Sequence, residues 1–88
     1  MSSSSTAYTV TDKNGIHARP AGLIVQTAKP YTAAISLTCG EKRANCKKLI
    51  ELMQLGVSCG DTVTITAQGD DSAKAVADIE DTMRRAGL

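Results

Sequence analysis

The run Thr6-Ala7-Tyr8-Thr9-Val10-Thr11-Asp12-Lys13-Asn14-Gly15-Ile16-His17-Ala18-Arg19-Pro20-Ala21 changes its periodicity in mid-course, and that change decides the fold. From Thr6 to Thr11 the chain alternates, with Tyr8 and Val10 on one face and Thr9 and Thr11 on the other, the two-residue period of a strand. Asp12-Lys13-Asn14-Gly15 then supplies turn chemistry. Beyond it, Ala21, Ile24, Val25 and Ala28 recur at i, i+3, i+4 and i+7, the apolar stripe of a helix that Pro30 stops. His17, the only histidine of the chain, therefore stands at a helix entrance.

Downstream, Ala33, Ile35, Leu37 and Cys39 restore the strand period, and Gly40-Glu41 turns the chain into a partner strand over Lys42 to Cys46. Leu49 to Leu55 reads as a short helix closing on Gly56, in the position after a helix that glycine favours. Val63, Ile65 and Ala67 form another strand, ended by Gly69 and Asp70. Ala73, Val76, Ala77, Glu80 and Met83 trace a last helix, with Asp71 or Ser72 as its cap and Arg84 and Arg85 near its end. The order is β-α-β-β-α-β-α. Strands with one apolar face and helices with one apolar stripe are satisfied by an α+β open-faced sandwich, a four-stranded antiparallel sheet with three helices on one face. Thr9, Thr11, Ser36, Thr38, Thr62, Thr64 and Thr66 then belong to the wet face. The low-complexity Met1–Ser5 run is read as a disordered or appended N-terminus, leaving residues 6–88 as one domain.

A chain of 88 residues buries only a little over half of its unfolded surface, which puts any function at or near the outside. With 42% hydrophobic and 22% charged residues it is an ordinary globular composition, and with two Tyr and no Phe or Trp its core rests on aliphatic residues. A formal net charge of +1, with Tyr8 and Tyr31 as the only aromatics, excludes a nucleic-acid surface that needs a broad basic field and stacking rings. Neither an apolar leader nor a run long enough to enter a membrane is present. Lys42, Arg43, Lys47 and Lys48 make one edge basic, while Asp70, Asp71, Asp78, Glu80 and Asp81 gather near the other end. Cys39, Cys46 and Cys59 are odd in number and lack a Cys-x-x-Cys pair, which points to a reducing cytoplasm and implies no metal.

Chemistry concentrates in Gly15-Ile16-His17-Ala18-Arg19-Pro20-Ala21. The first amides of a helix have no partners within it and point back at whatever precedes them, so a phosphate on His17 would gain roughly 0.3 to 1 kcal/mol from each such contact. Arg19 adds a cation whose fork matches phosphate oxygens, provided that the ring precedes the helix and the guanidinium curls back over its entrance. Pro20 is tolerated there because its missing donor would be unpaired anyway. Leu23 falls off the buried stripe, and on the short helix Leu49, Ile50 and Met53 fall away from the core-facing Leu52 and Leu55, making an apolar surface near the histidine.

The seven residues from Gly15 to Ala21 resemble the active-site signature of HPr, the histidine-containing phosphocarrier family of the bacterial phosphoenolpyruvate-dependent sugar phosphotransferase system. Lys47-Lys48-Leu49-Ile50-Glu51-Leu52-Met53-Gln54-Leu55-Gly56 resembles its second signature. The resemblance implies that His17 takes phosphate on Nδ1 from enzyme I and donates it to the IIA domain of a sugar permease, with Arg19 steadying the phosphate. It implies a partner surface of Ala18, Gly22, Leu23, Lys29, Lys47, Leu49, Ile50, Met53 and Gly56, no cofactor, and a monomer acting as carrier rather than autonomous enzyme. A nitrogen-branch phosphocarrier and a non-catalytic regulatory adaptor are the alternatives within the same fold.

Two positions depart from the pattern. Many Gram-positive members carry a phosphorylatable serine where Lys48 stands, so the regulatory hydroxyl is absent here. Lysine is also a poor cap and places a cation at a helix N-terminus, at an expected cost of about 0.5 to 1 kcal/mol. Gly22 replaces a small residue with a side chain and loosens the first helix by up to about 1 kcal/mol.

Overall fold

The computed structural model describes residues 2–88. Its elements are β1 (Ser3–Thr9), α1 (Ala18–Ala28), β2 (Ala34–Cys39), β3 (Lys42–Asn45), α2 (Leu49–Gln54), β4 (Thr62–Gln68) and α3 (Ser72–Arg85), in the expected β-α-β-β-α-β-α order. The sheet runs β1-β4-β2-β3 and every pairing is antiparallel. Placing β4 between β1 and β2 buries the two strands richest in branched aliphatics at the centre. On the helix side, α3 lies over β4, β1 and β2, α1 packs against α3 and α2, and α2 rests on β3.

Alternation carries the layering. Val63, Ile65 and Ala67 of β4 and Ile35 and Leu37 of β2 are buried against the helices, together with Ala21, Ile24 and Ala28 of α1. Thr9, Thr62 and Thr64 lie on the wet face, Thr9 and Thr62 bonded across the strands at 3.0 Å. Ser36 shares that parity yet is buried, because β2 is interior and its neighbours in register are Thr66 and Asn45. Thr11 lies beyond the sheet, where its N–H and its hydroxyl both donate to the Leu88 carbonyl.

Three expectations are corrected. Residues Ser3 to Ser5 belong to the sheet, paired with Gln68, Ala67 and Thr66; Ser4 bonds the Ser72 hydroxyl at 3.3 Å, and the Ser2 carbonyl accepts from the Gly69 amide. Serine fits this stretch because the sheet edge under the start of α3 asks only for small side chains. Met1 lies outside the described residues. On α3 the core face is Ala75, Val76, Ile79, Thr82 and Met83, whereas Ala73 and Ala77 are exposed. The stripe turns toward Ile79 because it brings far more apolar area than an alanine. Asp71 occupies the cap position of α3 but forms no capping bond. Its carboxylate instead accepts from the amides of Thr32 and Ala33, both at 3.0 Å, pinning the loop between α1 and β2. Desolvation pushes that carboxyl upward, but these amides and the Thr32 hydroxyl outweigh it and hold the group below its ordinary range.

Candidate functional site

The turn before α1 is built by Asp12 and Gly15. The Gly15 N–H donates to the Asp12 carbonyl at 3.0 Å, and the Asn14 N–H donates to Asp12 Oδ1 at 2.8 Å. Gly15 has φ +62, and a Cβ there would sit 1.8 Å from the Val57 carbonyl oxygen, so only glycine lets the loop after α2 close over this turn. The chain then reaches His17, the N-cap of α1, in extended conformation with φ −101 and ψ −174. Its carbonyl accepts from Ala21 at 3.0 Å, but its side chain makes no capping bond. With Pro20 lacking an N–H, the Ala18 and Arg19 amides are the free donors of the first turn beside the imidazole.

The ring precedes the helix, the condition under which Arg19 can serve it. Asp12, His17, Arg19, Pro20, Leu23, Arg85 and Ala86 line one surface recess. The His17 side chain is 42% exposed, and its Nε2 lies 3.5 Å from Asp12 Oδ2. Asp12 and Arg85 did not stand out in the sequence reading. Asp12 was legible as turn chemistry only, and Arg85 is brought in from α3 by tertiary packing.

Among the described residues, Leu23, Leu49, Ile50 and Met53 are the exposed large apolar ones, Ile50 at 62%, while Leu52 and Leu55 are buried. Ala18, Lys29 and Gly56 are exposed and Gly22 is half-buried. Lys47 is half-buried, and its ammonium donates to the Tyr31 carbonyl at 2.7 Å, which braces the loop. Lys48 is the N-cap of α2, exposed and without a capping bond. The acidic group near the C-terminus is largely engaged within the molecule. Asp71 holds the Thr32 loop, Asp78 accepts from the Tyr31 hydroxyl, and Asp81 pairs with Arg85 at 2.8 Å. All three cysteines are free, and burial pushes the Cys46 thiol up to about 12, which makes it inert packing. Among the described residues no helix is long and apolar enough to cross a membrane.

An exposed imidazole at a helix entrance with free amides and a guanidinium in the same recess has the chemistry to hold a phosphoryl group within reach of other proteins; the class is that of the histidine phosphocarriers. A family model described as PTS HPr component phosphorylation site matches residues 4–85, and the chain belongs to this HPr family of the phosphotransferase system. Solved relatives agree. The histidine-containing phosphocarrier protein of a Mycoplasma is 32% identical, with 97% of each chain covered and a TM-score of 0.94. HPr of Bacillus anthracis is 32% identical over 93% of this chain and 98% of its own, with a TM-score of 0.84. Crh of Bacillus subtilis, the catabolite repression protein described as a domain-swapped dimer, is 37% identical over 92% and 93%, with a TM-score of 0.75.

Proposed function

We propose that His17 accepts phosphate on Nδ1 from phospho-enzyme I and donates it to the IIA domain of a sugar permease, in the cytoplasm and as a monomer. The observation that carries this reading is the exposed imidazole at an N-terminus whose cap makes no side-chain bond, with Arg19 in the same recess. Each transfer is an in-line displacement: in acceptance the Nδ1 lone pair attacks phosphorus as the donor's bond to phosphorus breaks with its electrons returning to the donor, and in donation a nucleophile of the acceptor attacks phosphorus as the N–P electron pair returns to Nδ1. The Ala18 and Arg19 amides and the guanidinium then face the dianionic product, while the docked partner supplies most of the positioning. Leu23, Leu49, Ile50 and Met53 form the docking surface, flanked by Ala18, Gly22, Lys29 and Gly56.

Incubation with phosphoenolpyruvate and enzyme I is expected to add one acid-labile phosphate to the wild type and none to His17→Ala. Label that persists in the variant refutes the assignment. The likeness to Crh favours a second reading, a regulatory adaptor that binds without transferring phosphate. The same variant separates the two, since an adaptor retains its partner and its effect without the imidazole. Lys48 leaves no hydroxyl for a serine kinase at the head of α2.

A further inference from the structure

The two carboxylate oxygens of Asp12 face different groups. Oδ1 is committed to the Asn14 amide at 2.8 Å, in an Asx turn that fixes the side chain against its own backbone. Oδ2 faces His17 Nε2 at 3.5 Å, with the Asp12 side chain 23% exposed. Arg85, which lines the same recess, pairs with Asp81 at 2.8 Å, and so does not draw the Asp12 carboxylate away. We propose that Asp12 is a positioning residue for His17, keeping the ring proton on Nε2 so that Nδ1 presents its lone pair to phosphorus.

The inference rests on the carrier reading of His17. A neutral imidazole carries one N–H, and a carboxylate facing Nε2 favours the tautomer with that N–H there, because a carboxylate only accepts. When Nδ1 bonds to phosphorus, the donor's bond breaks with its electron pair, Nε2 retains its proton, and the ring becomes cationic beneath a dianionic phosphoryl group. Asp12 then faces the positive side of that adduct while the amides of α1 face the negative side. On donation, the N–P electron pair returns to Nδ1 and the starting tautomer is restored. Neither half of the cycle has to move a proton.

Asp12→Asn is the discriminating variant. Its amide oxygen keeps the Asx turn, but its NH₂ places a donor against Nε2, where a donor favours the opposite tautomer. With ¹⁵N-labelled histidine at a pH where the ring is neutral, the wild type is expected to show a pyrrole-like Nε2 and a pyridine-like Nδ1. Asp12→Asn is expected to shift population toward the Nδ1–H form and to lower kcat for phosphate acceptance about fivefold with KM for phospho-enzyme I unchanged; an exposed pair holds a tautomer less firmly than a buried one. Asp12→Ser, whose hydroxyl can also bond the Asn14 amide, serves as the second variant and tests the loss of the carboxylate alone. Wild-type nitrogen shifts retained in both variants overturn the inference, as does a wild type already in the Nδ1–H form. These spectra need no phosphate, so a failure here is distinct from a wild type that takes no label, which would sink the carrier reading.

Discussion

The entrances of α1 and α2 share one local geometry and put it to opposite uses. Each helix starts from a residue in extended backbone, His17 with φ −101 and ψ −174 and Lys48 with φ −121 and ψ 106, and neither side chain caps its helix. At α1 the first amides stay open beside the His17 imidazole. At α2 the cap residue is an exposed lysine, the Lys48 N–H donates to the Asn45 carbonyl, and Glu51 of the first turn reaches back to accept from the Asn45 amide at 2.9 Å. The polar groups around this second entrance are thus tied to one another, and its outward face is apolar, with Leu49, Ile50 and Met53 exposed. An uncapped helix start costs about 1 kcal/mol wherever it occurs. On the proposed function, that cost leaves a phosphate site at α1, whereas at α2 it has no such return and the helix serves by its surface.

The largest way to break this contrast is to move the α1 entrance itself. Gly15→Ala puts a Cβ into the Val57 carbonyl at a φ of +62 and is expected to destabilise the fold by more than about 3 kcal/mol, read by urea unfolding. Next, Ile50→Asp removes apolar surface from α2 without touching the core. Stability is expected to stay within about 0.5 kcal/mol while KM for phosphate transfer rises about tenfold or more. Smaller still are paired caps. Lys48→Ser and His17→Ser are each expected to gain about 0.5 to 1 kcal/mol, but only the second abolishes phosphate acceptance. A gain at Lys48 with none at His17 would show that the two entrances are not equivalent locally.

The smallest effect concerns the third helix start, where Asp71 also forgoes capping. Its folded value lies below the ordinary 3.8, so its contribution is complete above that pH and is lost as pH falls through the folded value. Asp71→Asn is therefore expected to lower stability near neutrality and to flatten its decline below about pH 4, measured by thermal unfolding across pH.

Element order and the His17 segment were legible because periodicity and turn chemistry are local. The change of period around Gly15 places the histidine at a helix start without any tertiary information, and the i, i+3 pair Leu52 and Leu55 marks the inner face of α2, leaving Leu49, Ile50 and Met53 outside. Long-range partnership was not legible. Nothing in a run of serines shows that β4 needs an edge strand of small residues, and nothing local shows that Asp71 will bond Thr32 and Ala33 rather than its own helix. Nor does the sequence show that the Lys47 ammonium bonds the Tyr31 carbonyl. Alanines misplace the stripe of α3 because they mark a face weakly, and Ile79 decides it.

Whether His17 Nδ1 carries the phosphate is settled by locating the bond itself. Protein labelled with ¹⁵N in histidine, phosphorylated by enzyme I and phosphoenolpyruvate, is expected to show phosphorus coupled to His17 Nδ1 alone. Coupling to Nε2, the nitrogen that faces Asp12, or phosphate on a hydroxyl with the ring unmodified, would contradict it.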